Sequence, residues 1–263
     1  MTAPPPDAPV RLAVENGIAT LTLDRPATKN ALTPDHWSEL GAAVAAVAAS
    51  EARVLVVTGA GGDFCAGADL GSGTGGERHP LDRMDRITAP LIALHELPIP
   101  VLAAVDGVAV GAGWSLALCA DFVVATRRSR FSQIFARRGL SLDTGASWLL
   151  PRLVGLHTAK RLAYFAEMLS AGEAYELGLV TWLVGDGEMD EVVARLTREL
   201  AAAAPVALRL DKALLDHAHQ RTFREAVAAE NVAQLVNFAT DAPAAKAAFT
   251  AGTAVTFSGR WQL

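Results

Sequence analysis

The stretch IPVLAAVDGVAVGAGWSLALCADFVVAT, residues 99–126, decides how the rest of the chain is read. It is the one run apolar enough to be weighed as a membrane span. Asp106 and Asp121, however, leave only 14 residues between them, three of them glycine. A span needs about 20 apolar residues. The stretch therefore reads as a buried strand, a Gly-rich turn, a helix and a second buried strand. VLAAV (101–105) and DFVVAT (121–126) are the strands, and the helix lies around 113–119.

The same pattern continues outward. GIATLTLD (17–24) sets Ala19, Leu21 and Leu23 against Thr20 and Thr22, the period of a half-buried strand. Thr33-Pro34-Asp35 supplies an N-cap and a first-turn proline, so an Ala-rich helix is expected from there to about Ala49. RVLVVTG (53–59) is a continuous β-branched run, the mark of a strand covered on both faces. GSGTGGERHP (71–80) reads as a mobile surface loop, and a helix over about 81–96 ends at Pro98 and Pro100. A short helix is expected over 144–150, and Ser170-x-x-Glu173 is a capping box that opens another. Beyond Val184 the chain reads as helices over roughly 188–203, 206–216, 221–238 and 241–249. Alternating β and α followed by a helical tail imply an α/β fold with a parallel sheet.

Composition narrows the function. With 263 residues, 51% of them hydrophobic, the chain can bury a large core. Net charge is −5 and the 23 Lys and Arg are scattered, so nucleic acid is not an expected partner, nor is a membrane. Two distant cysteines, Cys65 and Cys119, make no disulfide framework, and a reducing cytoplasm is expected. MTAPPPDAP (1–9) has neither a basic nor an apolar export region and reads as a short disordered leader. The six histidines are scattered without metal-ligand spacing, so no metal is expected.

Two motifs are decoys. VVTGAGGDF follows a buried strand, but the dinucleotide fingerprint beginning at Gly59 would need glycine at position 64, which is Phe. GWSLA (113–117) approaches a nucleophile elbow, and Ser115, Asp143 and His157, His217 or His219 would give a hydrolase order. None of those histidines lies in a Gly-flanked loop, so a hydrolase is the last of the readings kept. What remains is two turns of small residues, each following a strand and expected to precede a helix: DFCAGADL (63–70) and VAVGAGWSLAL (108–118). Small residues let the backbone approach a ligand, and free N–H groups at a helix start are anion donors. Aimed at one point, two such turns would make an oxyanion hole.

Together, TLTLDRPATKNAL (20–32), VLVVTGAGGDFCAGADL (54–70), IPVLAAVDGVAVGAGWSLALCADFVVA (99–125) and LPRLVG (150–155) resemble the crotonase family of enoyl-CoA hydratases and isomerases, from about residue 10 to near the end. The resemblance implies a right-handed spiral of ββα units over 10–200. It also implies a C-terminal helical segment, 201–263, that supports a homotrimer or hexamer. The ligand would be an acyl-CoA thioester, with CoA entering as part of the substrate and no prosthetic group. Its carbonyl would be held by the N–H groups of Ala68 and Ala112. Ala66, Ala68, Asp69 and Leu70 match the family's adenine and pantetheine contacts, and Lys29 lies where a basic residue often meets the CoA. A solvated turn lysine is an equal reading of Lys29. The loop 71–80 and the helix after it would shape the acyl pocket.

The chain leaves the hydratase pattern at its acids. Hydratases of the family use two glutamates, and the matching places here are Ser115 and, in FSQIF, Phe135. Neither takes a proton from water at neutral pH. Eight residues beyond Phe135 stands Asp143, where isomerases of the ring-opened phenylacetyl-CoA type and 4-chlorobenzoyl-CoA dehalogenases carry an aspartate. The flanks look more like the isomerases, because FARRGL lacks the Trp–His region of the dehalogenases. The resemblance thus implies Asp143 as the base of a 1,3-proton shift, with Leu140, Leu142 and Trp148 desolvating it. Residues alone leave Asp143 an N-cap as readily as a catalyst. A hydratase or lyase using Asp143 and water, and a non-catalytic acyl-CoA-binding paralogue, stay open. The C-terminal stretch 247–260 has only Lys246 and Arg260 near it, so phosphate clamping from there is not expected, and Arg137 and Arg138 read as a solvated pair.

Overall fold

The computed structural model describes residues 8–71 and 79–261. Most of the expected leader and most of loop 71–80 lie outside the described residues. The chain begins with a hairpin of β1 (Val10–Glu15) and β2 (Ile18–Leu23), joined at Asn16-Gly17 with φ of 51° and 77°. Two residues at positive φ match the twist of paired strands, which is why Asn-Gly favours this turn. β1 was not expected from the apolar pattern, although Asn-Gly was its signal.

From β2 onward the main sheet is parallel. β3 (Val54–Gly59), β4 (Val101–Val105), β6 (Phe122–Thr126) and β9 (Trp182–Val184) extend it in the order β1-β2-β3-β4-β6-β9. Both faces are covered, as the β-branched runs imply. Leu55 and Val57 of β3 enter one apolar cluster and Val56 the other. A second sheet joins three strands of two or three residues: β5 (Val108–Val110), β7 (Arg130–Ser132) and β8 (Leu169–Ser170). These strands are too short to show a period and were not expected.

The large cluster lies under α1 (Pro34–Ala48), α2 (Pro80–His95), α3 (Ala112–Leu118) and α4 (Ala146–Phe165). α4 differs from its expectation at both ends. It starts two residues later, and it runs on beyond position 150 through a kink at Gly155 (φ 74°, ψ 162°). α5 (Ala171–Glu176) opens with the expected capping box, Ser170 with Glu173. α6 (Met189–Ala202) covers the other face of the sheet through Leu196, Val192 and Val193.

The helical tail continues with α7 (Pro205–Asp216), α8 (Phe223–Phe238) and α9 (Ala242–Ala251). It is bonded back to the sheet. Lys212 of α7 pairs with Asp121 at 3.0 Å and donates to the Ile99 carbonyl, just before β4. Arg53 donates to the carbonyls of Ala201 and Phe257, and Asp241 accepts the N–H groups of Ser258 and Gly259. No described helix is long and apolar enough to cross a membrane.

Candidate active site

The two small-residue turns meet. Residues 63–69 leave β3 and run beside β5 through a bridge between Cys65 and Ala109. Gly67 (φ 89°) faces the second turn: a Cβ there would lie 2.8 Å from the Val110 carbonyl and 3.4 Å from the Ala112 nitrogen. Gly113 is equally constrained, since its Cβ would lie 2.2 Å from the Cys65 carbonyl. Both glycines are there because backbone passes where a side chain would stand.

This contact brings the Ala68 and Ala112 segments together. The bridge between Leu32 and Ala68 uses the N–H groups of Leu32 and Asp69, not that of Ala68. Ala112 opens α3, so its N–H has no carbonyl one turn back to bond. Among the described residues neither N–H donates to another group. Two free backbone donors at adjacent turns suit a developing oxyanion.

The other expected contacts lie around the first turn. The Ala66 N–H is taken by the Lys29 carbonyl at 2.9 Å. Asp69 pairs with Arg25 at 3.1 Å, and Leu70 is exposed. Lys29 is half exposed and its ammonium lies 3.3 Å from Asp63. Cys65 and Cys119 are buried, and desolvation pushes both thiols up to about 12, so neither is a nucleophile.

The two positions that the resemblance matches to the hydratase glutamates hold no acid. Ser115 is fully buried, its hydroxyl donating to the Gly111 carbonyl at 3.3 Å. Phe135 is buried, and its ring edge lies 3.8 Å from where a Gly111 Cβ would stand. The hydrolase order also fails: His217 caps α7 on the Ala213 carbonyl, and Ser115 has no histidine partner among the described residues.

Asp143 stands on the turn between the 3-10 helix Ile134–Arg138 and α4, which packs against α3. It is not the cap of α4. Gly145 holds that position, without a side-chain bond, and the Asp143 backbone carbonyl accepts the Ala146 N–H. Thr144 and Gly145 are both left-handed, at φ of 52° and 86°. Among the described residues its one side-chain partner is the Thr144 hydroxyl, 3.0 Å from Oδ1. Burial raises the Asp143 pKa above the ordinary carboxylate value, and the Thr144 hydroxyl opposes that rise. Leu142 and Trp148 are partly buried against the core beside it, whereas Leu140 is exposed and contributes little desolvation.

Beside Thr144 and Gly145 opens a cavity of about 730 Å³. α2 gives it Leu91 and Ile92, and α7 gives it Arg209 and Asp216. Trp148 stands edge-on to His95 at 5.4 Å and carries the Arg152 guanidinium over its ring at 3.8 Å.

The family model described as enoyl-CoA hydratase/isomerase matches residues 13–250. The chain belongs to the enoyl-CoA hydratase/isomerase family. It is 43% identical over 182 residues to a protein of Rhodobacter capsulatus named "Probable enoyl-CoA hydratase", covering 69% of this chain and 70% of that one. It is 37% identical over 215 residues to the 1,2-epoxyphenylacetyl-CoA isomerase of Escherichia coli K12, covering 80% and 82%. A crystal structure of an enoyl-CoA hydratase from Polaromonas sp. JS666 superposes with a TM-score of 0.89 at 31% identity, over 95% of this chain and 99% of that one. The α/β architecture is thus the crotonase fold of this family.

Proposed function

We propose that this family member isomerises enoyl-CoA thioesters, moving a double bond between the β,γ and α,β positions. The carrying observation is the acid inventory. Ser115 and Phe135 occupy the two hydratase positions, while Asp143 is half-buried, has a raised pKa and does not cap α4. A 1,3-shift needs one base that removes a proton at one carbon and returns it at another. Ala68 and Ala112 would donate to the thioester oxygen as the dienolate forms, which acidifies the C–H bond. Desolvation brings Asp143 toward the pKa of a useful base.

The CoA would lie along Ala66–Leu70, with Lys29 near its phosphates. The cavity of about 730 Å³ beyond Thr144, whose lining includes neither Asp143, Ala68 nor Ala112, would take the far end of the acyl group. The exposed Phe223, Phe238 and Phe249 of α8 and α9 favour assembly into a trimer or hexamer.

Incubation with 3-hexenoyl-CoA tests the reading. The expected product is 2-hexenoyl-CoA at unchanged mass, absent with Asp143→Asn. Gain of one water from 2-hexenoyl-CoA would instead support the hydratase activity named for the Rhodobacter relative. Binding of hexanoyl-CoA without turnover of either enoyl thioester would make the chain a non-catalytic paralogue.

A further inference from the structure

Three segments converge on the candidate oxyanion hole: 25–32 after β2, 59–69 after β3 and 107–112 around β5. Two side chains that bond to neither Ala68 nor Ala112 tie them together. Asn30 is fully buried. Its Oδ1 accepts the Arg25 N–H at 2.7 Å, and its Nδ2 donates to the carbonyls of Ala60 at 2.9 Å and Asp63 at 2.6 Å. Its own carbonyl accepts from the Cys65 thiol at 3.2 Å. The Asn30 amide thus holds both ends of the loop that leads to Ala68.

Asp63 carries the connection to the second donor. Its Oδ1 accepts the Val108 N–H at 2.9 Å, at the start of the strand that ends one residue before Gly111 and Ala112. Its Oδ2 faces the Lys29 ammonium. There is no slack around the pair: a Cβ on Gly59 would lie 2.8 Å from the Asn30 amide nitrogen, and one on Gly107 would lie 2.6 Å from Asp63 Oδ1.

The backbone under Asn30 is unusual as well. Lys29 and Asn30 are successive non-glycine residues in the left-handed region, at φ of 51° and 57°. Such conformations persist where the surroundings over-determine them, and they gather at functional sites. Here the strained pair places the Lys29 carbonyl on the Ala66 N–H, two residues before the first donor.

We propose that Asn30 and Asp63 are positioning residues that set the spacing and aim of the Ala68 and Ala112 N–H groups. The proposal rests on reading those two groups as an oxyanion hole. A misplacement of about 1 Å in such a site costs roughly a hundredfold in rate. The linkage runs from Asn30 to the first turn and from Asp63 to the second, so loss of either member should separate donors that neither touches.

The test uses infrared difference spectra of carbonyl-labelled hexanoyl-CoA, a saturated thioester that cannot react, together with kcat and KM for 3-hexenoyl-CoA. In the unaltered protein the bound carbonyl band should lie below its frequency in water. Asn30→Ala and Asp63→Ala should return the band toward the free value. Each should also lower kcat roughly a hundredfold, with KM changed less than threefold. Asp63→Asn keeps an oxygen acceptor for the Val108 N–H and should restore both band and kcat. Should Asn30→Ala fail to fold, the partly exposed Asp63 carries the test alone. Folded Asp63→Ala with an unshifted band overturns the positioning role. Absence of any lowering in the unaltered protein overturns the oxyanion-hole reading itself, and this proposal with it.

Discussion

The turns that carry the candidate donors and the turn that carries the candidate acid are held in opposite ways. Residues 59–69 and 107–112 are laced to each other and to 25–32 by backbone bridges, by Asn30 and by Asp63. Residues 139–145 are largely exposed or half-buried, and the Asp143 carboxylate has only its neighbour Thr144 as a partner among the described residues. In the proposed reaction the donors would bind what every thioester shares, a carbonyl oxygen, and rigidity would serve them. The acid would determine which proton moves, and it sits on a lightly bonded turn.

Four experiments can break or sharpen that contrast. The largest effect is expected from Asp143→Asn, with isomerisation reduced roughly a thousandfold as for loss of a general base. Its melting temperature should move little; a large fall would make Asp143 structural. Gly113→Ala attacks the donor side, where a methyl group would meet the Cys65 backbone. Urea unfolding should show a loss of about 3 kcal/mol, since backbone cannot give way as a side chain would.

Thr144→Gly is expected to do the reverse on the acid side. A β-branched residue at φ 52° is strained, and its removal should raise stability by about 1 kcal/mol in the same assay while turnover falls as the turn loosens. The smallest effect concerns pH. A base must be ionised, so activity should fall as pH drops through the Asp143 pKa, which lies above the ordinary 3.8. Thr144→Val removes the hydroxyl that favours the ionised form and should move this acid limb higher still. A limb that stays in place would show that Asp143 does not govern the rate. In stability the sign is opposite: a raised carboxylate pKa favours the fold below the unfolded pKa, and that contribution is lost as pH rises through the folded one.

The sequence carried the parts of the fold that announce themselves locally. β2, β3, β4 and β6 follow from apolar runs, and α1, α2 and the four tail helices from caps, prolines and periodicity. β5, β7 and β8 were invisible because two or three residues hold no period and their partners are distant in the chain. The start of α4 was misplaced for a related reason. Nothing in Thr144 signals a left-handed conformation, so Asp143 read equally well as a cap until the turn itself was seen. Leu140 was credited with shielding the acid on hydrophobicity alone, whereas its position leaves it exposed. The Asn30–Asp63 linkage joins residues 33 apart and then crosses to Val108, and no local pattern marks it.

The two cysteines, inert in chemistry, have a use of their own. Both are shut away in the native state with thiols near 12, one beside the donor turn and one at the end of α3. An alkylating reagent can therefore reach Cys65 only in molecules that have opened, whereas Cys119 lines the cavity beneath α7. Labelling of Cys119 would thus report access through that cavity, which widens if α7 lifts, and labelling of Cys65 would report opening of the laced turns. The chain thus carries its own clock for whether the tail lifts before the core comes apart.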